Sequence, residues 1–211
     1  MIKNKLHIIG AGGHALMALD IAIESGFDEI CVYDDFVNKI NFYRDIKVEG
    51  TIEKFIQNCN PNTKVFIGIG DNNARSGLYK KLKDKSCLFP ILKHKSAVVN
   101  KHTYIGEGSI IMPSATINHN AKIGNCGIIN TNSTIDHDAE IGDFVHISPG
   151  VNIAGNVIIR ECSWIGIGAN VINNICIGKN AIIGAGSVVI DDIKDNIIAV
   201  GLPAKEINKD A

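Results

Sequence analysis

The segment AVVNKHTYIGEGSIIMPSATINHNAKIGNCGIINTNSTIDHDAEIG (97–142) repeats with a period of six residues, and the repeat continues to residue 189. Every sixth residue is Ile or Val, sixteen times without exception: Val99, Ile105, Ile111, Ile117, Ile123, Ile129, Ile135, Ile141, Ile147, Ile153, Ile159, Ile165, Val171, Ile177, Ile183 and Val189. Two residues earlier the side chain is mostly small, as at Ala97, Ser109 and Ala115. This pattern predicts a hexapeptide β-helix, whose short parallel strands stack about 4.8 Å apart. A β-sandwich would need a period of two and irregular turns.

Three hexads form one coil, so residues 18 apart occupy equivalent places in successive coils. On one face, the residues that precede the aliphatic column point outward and are mostly large and apolar: Ile110, Ile128, His146, Trp164 and Ile182. The equivalent column on a second face is mostly polar: Thr116, Thr134, Asn152, Asn170 and Val188. An outward apolar stripe on one face only predicts a surface that packs against another chain.

The first 92 residues follow a different pattern. A strand over 5–9 runs into a glycine turn at 10–13, and apolar residues then recur at helical spacing up to Gly26. A strand over 29–33, a strand-like run over 64–69, a helix over about 73–83 and an edge strand over 87–92, limited by Pro90, follow. We therefore predict two domains, a small parallel α/β layer over 1–92 and the coils over 93–211.

The glycine turn has the pattern G-x-G-x-x-A between a strand and a helix, which presents backbone N–H groups to a phosphate. Asp34 follows about 20 residues later, where a dinucleotide fold places its ribose-binding acid. Taken alone, this pattern favours NAD. However, about 90 residues are too few for a six-stranded dinucleotide domain. The glycines could also serve only to allow a tight strand-to-helix turn.

Composition excludes several classes of protein. Lys plus Arg number 21 and Asp plus Glu number 22, so no basic excess points to nucleic acid or an anionic membrane. The chain has no run of about 18 apolar residues, and its start, MIKNKLHIIGAGGH, does not read as a signal peptide. The six cysteines are scattered without a CxxC pair, which favours reduced thiols in the cytoplasm over metal or disulfide roles.

Two motifs narrow the interpretation further. The ending VGLPAK (200–205) resembles the Gly-x-Pro-Ala-Lys signature that closes hexapeptide coils, and HIIGAGGH (7–14) precedes them. Together with the repeat they resemble the NeuD/PglD group of left-handed β-helix sugar acetyltransferases, which includes sialic acid O-acetyltransferases, a bacillosamine-pathway N-acetyltransferase and perosamine N-acetyltransferases. The resemblance implies a Rossmann-like acceptor domain over 1–92, a left-handed β-helix over 93–211, acetyl-CoA as donor, no metal, and a cytoplasmic homotrimer with sites between subunits.

Acetyl transfer to an amine needs a base, and an imidazole can accept a proton at neutral pH. The coils carry His102, His119, His137 and His146. The segment NTNSTIDHD (130–138) resembles the active-site stretch of the group, which implies that His137 is the base and that the following acid polarises it. That acid is glutamate in the bacillosamine enzyme and the shorter Asp138 here, so Asp136 is an alternative orienting carboxylate.

His119 should lie one coil below His137, either in a contact role or simply at the surface. His146 follows His137 by nine residues, half a coil, so one chain presents the two on opposite sides. The resemblance therefore implies that His137 of one subunit faces His146 and Asn130 of the next.

The remaining site residues are assigned to the two substrates. For the acceptor sugar nucleotide we predict Gly12, Gly13, His14, Asp34, Asp35, Gly70 and Asn130. For coenzyme A we predict His146, Gly155, Gly166, Gly168, Gly184 and Lys205, with Lys179 as another partner for its phosphates.

The predicted activity is N-acetylation of a 4-amino group on a nucleotide-linked deoxysugar used for bacterial surface glycans. O-acetylation of sialic acid or a related sugar hydroxyl is one alternative. A non-catalytic partner of a sugar-synthesis enzyme is the other.

Overall fold

The computed structural model describes residues 4–36 and 46–207, and the chain divides into two compact units, Met1–Leu92 and Lys93–Ala211. In the described part of the chain, no helix has the length and apolarity needed to cross a membrane. The elements of the first unit are β1 (Lys5–Ile9), α1 (Gly13–Glu24), β2 (Glu29–Tyr33), β3 (Val48–Gly50), α2 (Ile52–Asn58), β4 (Val65–Ile67) and α3 (Asn72–Asp84).

The first unit is built on a parallel sheet with the strand order β3-β2-β1-β4. The predicted strands over 5–9 and 29–33 and both predicted helices are present. The predicted edge strand over 87–92 is reduced to one parallel bridge, between Leu88 and Lys64, with backbone hydrogen bonds from Val65 N–H to the Leu88 carbonyl and from Leu88 N–H to the Thr63 carbonyl. The sequence interpretation missed β3 and α2. Both are short, and α2 begins at a side-chain cap, where Thr51 accepts a hydrogen bond from the Lys54 N–H.

The second unit is a three-sided parallel coil. We name its faces after a residue that each exposes. The Asn face holds β6 (Val98–Val99), β9 (Thr116–Ile117), β12 (Thr134–Ile135), β15 (Asn152–Ile153), β18 (Asn170–Val171) and β21 (Val188–Val189). The Tyr face holds β7 (Tyr104–Ile105), β10 (Lys122–Ile123), β13 (Glu140–Ile141), β16 (Ile158–Ile159) and β19 (Cys176–Ile177). The Trp face holds β5 (Leu92–Lys93), β8 (Ile110–Ile111), β11 (Ile128–Ile129), β14 (His146–Ile147), β17 (Trp164–Ile165), β20 (Ile182–Ile183), β22 (Ile198–Val200) and β23 (Lys205–Ile207).

Each of the sixteen hexad residues ends a two-residue strand, β6 to β21, and pairs with the residue 18 positions away, as Ile129 does with Ile111 and Ile147. Fourteen of them are buried, and only Val99 and Ile105, in the first coil, are partly buried. They form one continuous aliphatic column. Each such side chain contributes about 1.5–3 kcal/mol when fully removed from water, so the column supplies the main stabilising term of this unit.

The corners between faces share one backbone feature that the sequence interpretation did not foresee. From residue 108 to residue 186, every sixth residue has a positive φ: Gly108, Ser114, Asn120, Cys126, Asn132, Asp138, Phe144, Gly150, Asn156, Cys162, Gly168, Asn174, Asn180 and Gly186. Most of these are Gly, Asn, Asp or Ser, because Gly adopts this region freely and short polar side chains tolerate it. The period of six therefore appears both in the buried aliphatic residues and in the positive-φ residues of the turns.

Candidate active site

His137 lies at a corner between the Asn face and the Tyr face, which we call the His137 edge. Its ring Nδ1 is 2.9 Å from Asp138 Oδ2. A carboxylate can only accept, so Nδ1 carries the proton and Nε2 is left with a lone pair in the neutral ring. Hydrogen bonding to Asp138 raises the pKa of His137, and the Asp136 charge raises it further. The pair therefore has the composition and polarity of a general base with an orienting acid.

The second candidate for orienting the ring, Asp136, has a different partner. Its Oδ1 accepts the backbone N–H of His137 at 2.7 Å and the side-chain amide of Asn118 at 2.9 Å. These two bonds lower the pKa of Asp136. The shorter acid at Asp138 does reach the ring, so Asp138 contacts the imidazole and Asp136 holds its backbone.

Gly155 lies directly against the His137 ring, one coil above it. A Cβ at this glycine would be 2.7 Å from His137 Cε1 and 2.8 Å from Nε2. The two residues are 18 apart, and the N–H of Asn156 donates to the His137 carbonyl at 3.1 Å. Any side chain at Gly155 would displace the imidazole, so the missing side chain makes the room that the ring occupies.

His119 lies one coil below, as the period predicts. Its carbonyl accepts the Asp138 N–H at 3.1 Å, and its ring is tilted by 59° against the His102 ring, with 4.9 Å between centroids. Through its charge His119 also helps to lower the pKa of Asp138. His119 therefore acts on Asp138 through a backbone hydrogen bond and through electrostatics.

His146 lies on the Trp face, on the far side of the coil from the His137 edge. Asn130 accepts the Thr131 N–H at its Oδ1, so its amide Nδ2 faces His146 Nε2 at 3.3 Å. The His146 ring is stacked on Trp164, with 5.8 Å between centroids and an angle of 12°. A single chain therefore brings Asn130 and His146 together and keeps both away from His137.

The glycines predicted for the coenzyme are divided between two edges. Gly155 lies at the His137 edge, whereas Gly166, Gly168 and Gly184 lie at the corners between the Trp face and the Asn face, where Asn130 also lies. A Cβ at Gly166 would meet the Ile183 carbonyl at 2.6 Å, and a Cβ at Gly184 would meet Val200 at 2.6 Å. The space beside these two glycines is thus filled by the next coil. Only Gly168, with φ +66°, has open space beside it.

The two lysines proposed for the phosphates differ in their surroundings. Lys205 is exposed on β23, which runs antiparallel to β22 and closes the coil. Lys179 forms an ion pair with Glu161, and this bond raises the pKa of Lys179. Lys205 is the better placed of the two to meet an external anion.

The acids of the first unit have internal partners. Asp34 accepts the Ala11 N–H at 2.7 Å with one oxygen and the Phe36 N–H at 2.8 Å with the other. Asp35 accepts the N–H of Ile52, the first residue of α2, at 3.0 Å. Their position after β2, which suggested ribose binding, therefore has a structural reason as well. Both hold turns in place.

The three glycines predicted to bind the acceptor have open space beside them. No atom lies within 4 Å of where a Cβ would stand at Gly12, Gly13 or Gly70. His14 is half-buried, with its ring 6.2 Å from Phe66. A cavity of about 730 Å³ lies between α2 and α3, and its lining includes Asp35, Ile52, Ile56, Ile69, Leu78 and Lys81. The sequence interpretation missed this cavity because it did not predict α2.

The predicted apolar stripe on the Trp face needs a correction. Ile110 and Ile128 are 0% and 1% exposed, so they are already covered and present no surface to a partner. Trp164 is 48% exposed, and Ile182 and His146 are half-buried. The apolar surface available on this column is therefore limited to its upper part, from His146 to Ile182.

None of the six cysteines forms a disulfide, and Cys87 lies 3.8 Å from Cys59 between sulfur atoms. Burial raises the pKa of the Cys87 thiol to about 12, with a further contribution from Cys59. Among the residues the structure describes, no group of three or more His, Cys, Asp and Glu side chains is arranged as a metal site.

Comparison with known families gives two matches along the chain. Residues 5–82 match the PglD N-terminal domain, and residues 102–137 match the bacterial transferase hexapeptide of six repeats.

Solved structures resemble the chain over almost its whole length. The acetyltransferase domain of PglB from Neisseria gonorrhoeae, also solved with acetyl coenzyme A, is 32% identical with a TM-score of 0.91, over 97% of this chain and 100% of that one. PerB from Caulobacter crescentus, solved with CoA and GDP-perosamine, is 33% identical with a TM-score of 0.87, over 97% of each chain. WeeI from Acinetobacter baumannii is 26% identical with a TM-score of 0.88, over 96% of this chain and 99% of that one. These matches confirm the predicted fold class, an α/β region followed by a left-handed β-helix.

Proposed function

Because the chain belongs to the NeuD/PglD group of hexapeptide-repeat sugar acetyltransferases, we propose that it transfers acetyl from acetyl-CoA to the 4-amino group of a nucleotide-linked amino-deoxysugar. The observation that carries this proposal is the His137–Asp138 pair, exposed at the coil surface with Nε2 available as a base. PerB, whose structure holds CoA and GDP-perosamine, supports a nucleotide-linked amino sugar as acceptor over sialic acid.

The reaction steps follow from where the proton lies in the His137–Asp138 pair. His137 Nε2 takes a proton from the acceptor amine as the nitrogen attacks the thioester carbonyl, and Asp138 stabilises the imidazolium that forms. A backbone N–H near Gly155 is our proposed donor to the tetrahedral oxyanion. When the intermediate collapses, the C–S bond breaks, the acyl carbon keeps the new C–N bond, and the imidazolium returns its proton to the leaving thiolate. No covalent acyl-enzyme is required.

The complete site needs two subunits in this proposal. His137 lies at one edge of the coil, while Asn130, His146 and Gly168 lie at the Trp face or its edge with the Asn face. In a homotrimer with its threefold axis parallel to the coil, the His137 edge of one subunit would face the Trp face of the next. The exposed Trp164 supports a protein contact on that face.

Each of the two substrates is assigned to the residues predicted for it, of which Gly12, Gly13, Gly70 and Gly168 have open space beside them. We propose that coenzyme A follows the groove between subunits past His146, Gly155, Gly166, Gly168 and Gly184, with Lys205 near its phosphates. The acceptor's nucleotide is assigned to Gly12, Gly13, His14 and Gly70 of the α/β unit, with Asp34 and Asp35 holding the turns around it. The lack of a disulfide among the six cysteines supports our proposal that the enzyme works in the cytoplasm.

Release of CoA thiol from acetyl-CoA, measured with a panel of UDP-, GDP- and dTDP-linked 4-amino sugars and with sialic acid, tests this proposal. We expect turnover with a 4-amino sugar nucleotide and a fall in kcat of roughly 10³-fold in His137→Ala, the size typical of losing a general base. His102→Ala, another exposed coil histidine, is the matched control and should keep its activity. Acetylation of sialic acid alone would favour O-acetylation, and equal turnover by His137→Ala would refute the assigned base.

A further inference from the structure

The Asp138 carboxylate is held at both of its oxygens. Oδ2 bonds the His137 ring at 2.9 Å, and Oδ1 accepts the side-chain amide of Asn120 at 2.6 Å. Asn120 comes from the coil below, 18 residues earlier in the chain. We propose that Asn120 is a positioning residue for the base: by fixing Oδ1 it aims Oδ2 of Asp138 at the imidazole.

The exposure of the pair explains why such a bond would matter. The side chains of His137 and Asp138 are 55% and 44% exposed, so water competes for the carboxylate and exposed pairs of this kind hold their geometry weakly. A second bond from a neutral amide removes most of the remaining rotation of the Asp138 side chain. The pKa values agree with this order of contacts, because Asn120 is the main cause that lowers the pKa of Asp138 and Asp138 is the main cause that raises that of His137.

A parallel arrangement lies on the other side of His137. Asn118 bonds Asp136, and Asp136 accepts the backbone N–H of His137. Two amide–carboxylate contacts from the coil below therefore bracket the base. The titratable groups around it are Asp136 and Asp138 on its own coil and His119 below, while Gly155 above brings none.

The backbone conformation at Asn120 also favours asparagine, so the experiment must separate this backbone role from the side-chain bond to Asp138. Its φ is +60°, in the left-handed region that favours Asn and Gly. Asn180 is the matched control. It has φ +51°, is also exposed, and also donates its side-chain amide across coils, to Asn196 Oδ1 at 3.2 Å. Glycine accepts this backbone at either position, so Asn120→Gly and Asn180→Gly each remove only the amide.

The test has one arm that does not depend on the proposed function. NMR titration of the His137 imidazole in the intact protein should show a lower pKa in Asn120→Gly and in Asp138→Asn, and no change in Asn180→Gly. The double variant Asn120→Gly/Asp138→Asn should titrate like Asp138→Asn alone, because Asn120 acts through Asp138. An unchanged His137 pKa in Asn120→Gly, or a further fall in the double variant, would overturn the proposal.

The second arm rests on the proposed acetyl transfer. Asn120→Gly should lower kcat by roughly 5- to 10-fold, because one charge-assisted hydrogen bond is lost and it acts on His137 only through Asp138. The acidic limb of kcat/KM should move to lower pH. Asn180→Gly should move neither. A kcat loss without movement of the limb would mean a merely structural role and would also count against the proposal. If the wild type transferred no acetyl group, the proposed function would fail while the titration still decided the role of Asn120.

Discussion

The coil unit and the α/β unit place their polar side chains by different rules. In the coil, polar partners lie one turn of the coil apart, as in Asn120 with Asp138 and Asn152 with Asn170, and these contacts remain at the surface. In the α/β unit, polar side chains tie one turn to another, as Asp34 does with Ala11. We therefore expect a ligand to bind beside the stacked polar side chains of the coil, and at Gly12, Gly13 and Gly70 of the α/β unit, which have open space beside them.

The largest effect should come from the core column that the coil depends on. Ile165→Ala removes a side chain that is 0% exposed, so it should lower the free energy of unfolding by about 2–5 kcal/mol. Ile167, two residues on and 62% exposed, is the control, and Ile167→Ala should cost less than about 0.5 kcal/mol. Chemical denaturation measures both. Equal losses would mean that the period of six does not define the core.

The next effect separates two glycines that face different kinds of atom. In Gly155→Ala the new methyl group collides with the movable His137 ring, so kcat should fall by roughly 100-fold while the melting temperature changes little. In Gly142→Ala it collides with the backbone N–H of Glu161 at 2.8 Å, so stability should fall instead. Calorimetry and thiol release together check the pair. Full activity in Gly155→Ala would place the working imidazole elsewhere.

A smaller effect concerns the pH dependence of the base. Hydrogen bonding to Asp138 raises the pKa of His137, and only the neutral ring can accept a proton, so activity should fall as the pH drops through this raised value. Asp138→Asn removes the charge, so the acidic limb of kcat/KM should move to lower pH and kcat should fall by roughly tenfold. If the acidic limb of kcat/KM stays at the same pH in Asp138→Asn, Asp138 does not act on His137.

The smallest effect tests the α/β side of the comparison. Asp34→Ala removes the carboxylate that accepts the Ala11 and Phe36 N–H groups, so losing these two bonds should cost about 1–2 kcal/mol of stability. Gly70→Ala fills open space and should leave stability unchanged while raising the KM for the acceptor. Denaturation and steady-state kinetics check the two. If Asp34→Ala raises the KM for the acceptor and leaves stability unchanged, Asp34 binds the acceptor and does not mainly hold the turn.

The sequence predicted the coil unit more completely than the α/β unit. The positions of Ile111, Ile129 and Ile147 in one sheet followed from the period alone, because each coil repeats the same geometry. Stacking by 18 residues could also have found Asn120 beneath Asp138 and Gly155 above His137. The burial of Ile110 and Ile128 could not be predicted, because a repeat specifies which way a side chain points and not what covers it.

The α/β unit was less predictable, because its elements lack a common period. α2 is only seven residues long and begins at the Thr51 cap, so its helical pattern is short. The interpretation of Asp34 rested on spacing, which fixes its place after β2 and not its hydrogen bonds. Spacing located the polar residues there, and only the structure shows which of them are already engaged.

The central claim is that one site draws His137 from one subunit and His146 from the next. Mixed trimers assembled from equal amounts of His137→Ala and His146→Ala chains, each of which we expect to be inactive alone, test it most directly by thiol release. Random assembly of a threefold complex should restore about one quarter of wild-type activity, because that share of sites receives both intact histidines. Background activity in verified mixed trimers, or a protein that stays monomeric while fully active, would contradict the account.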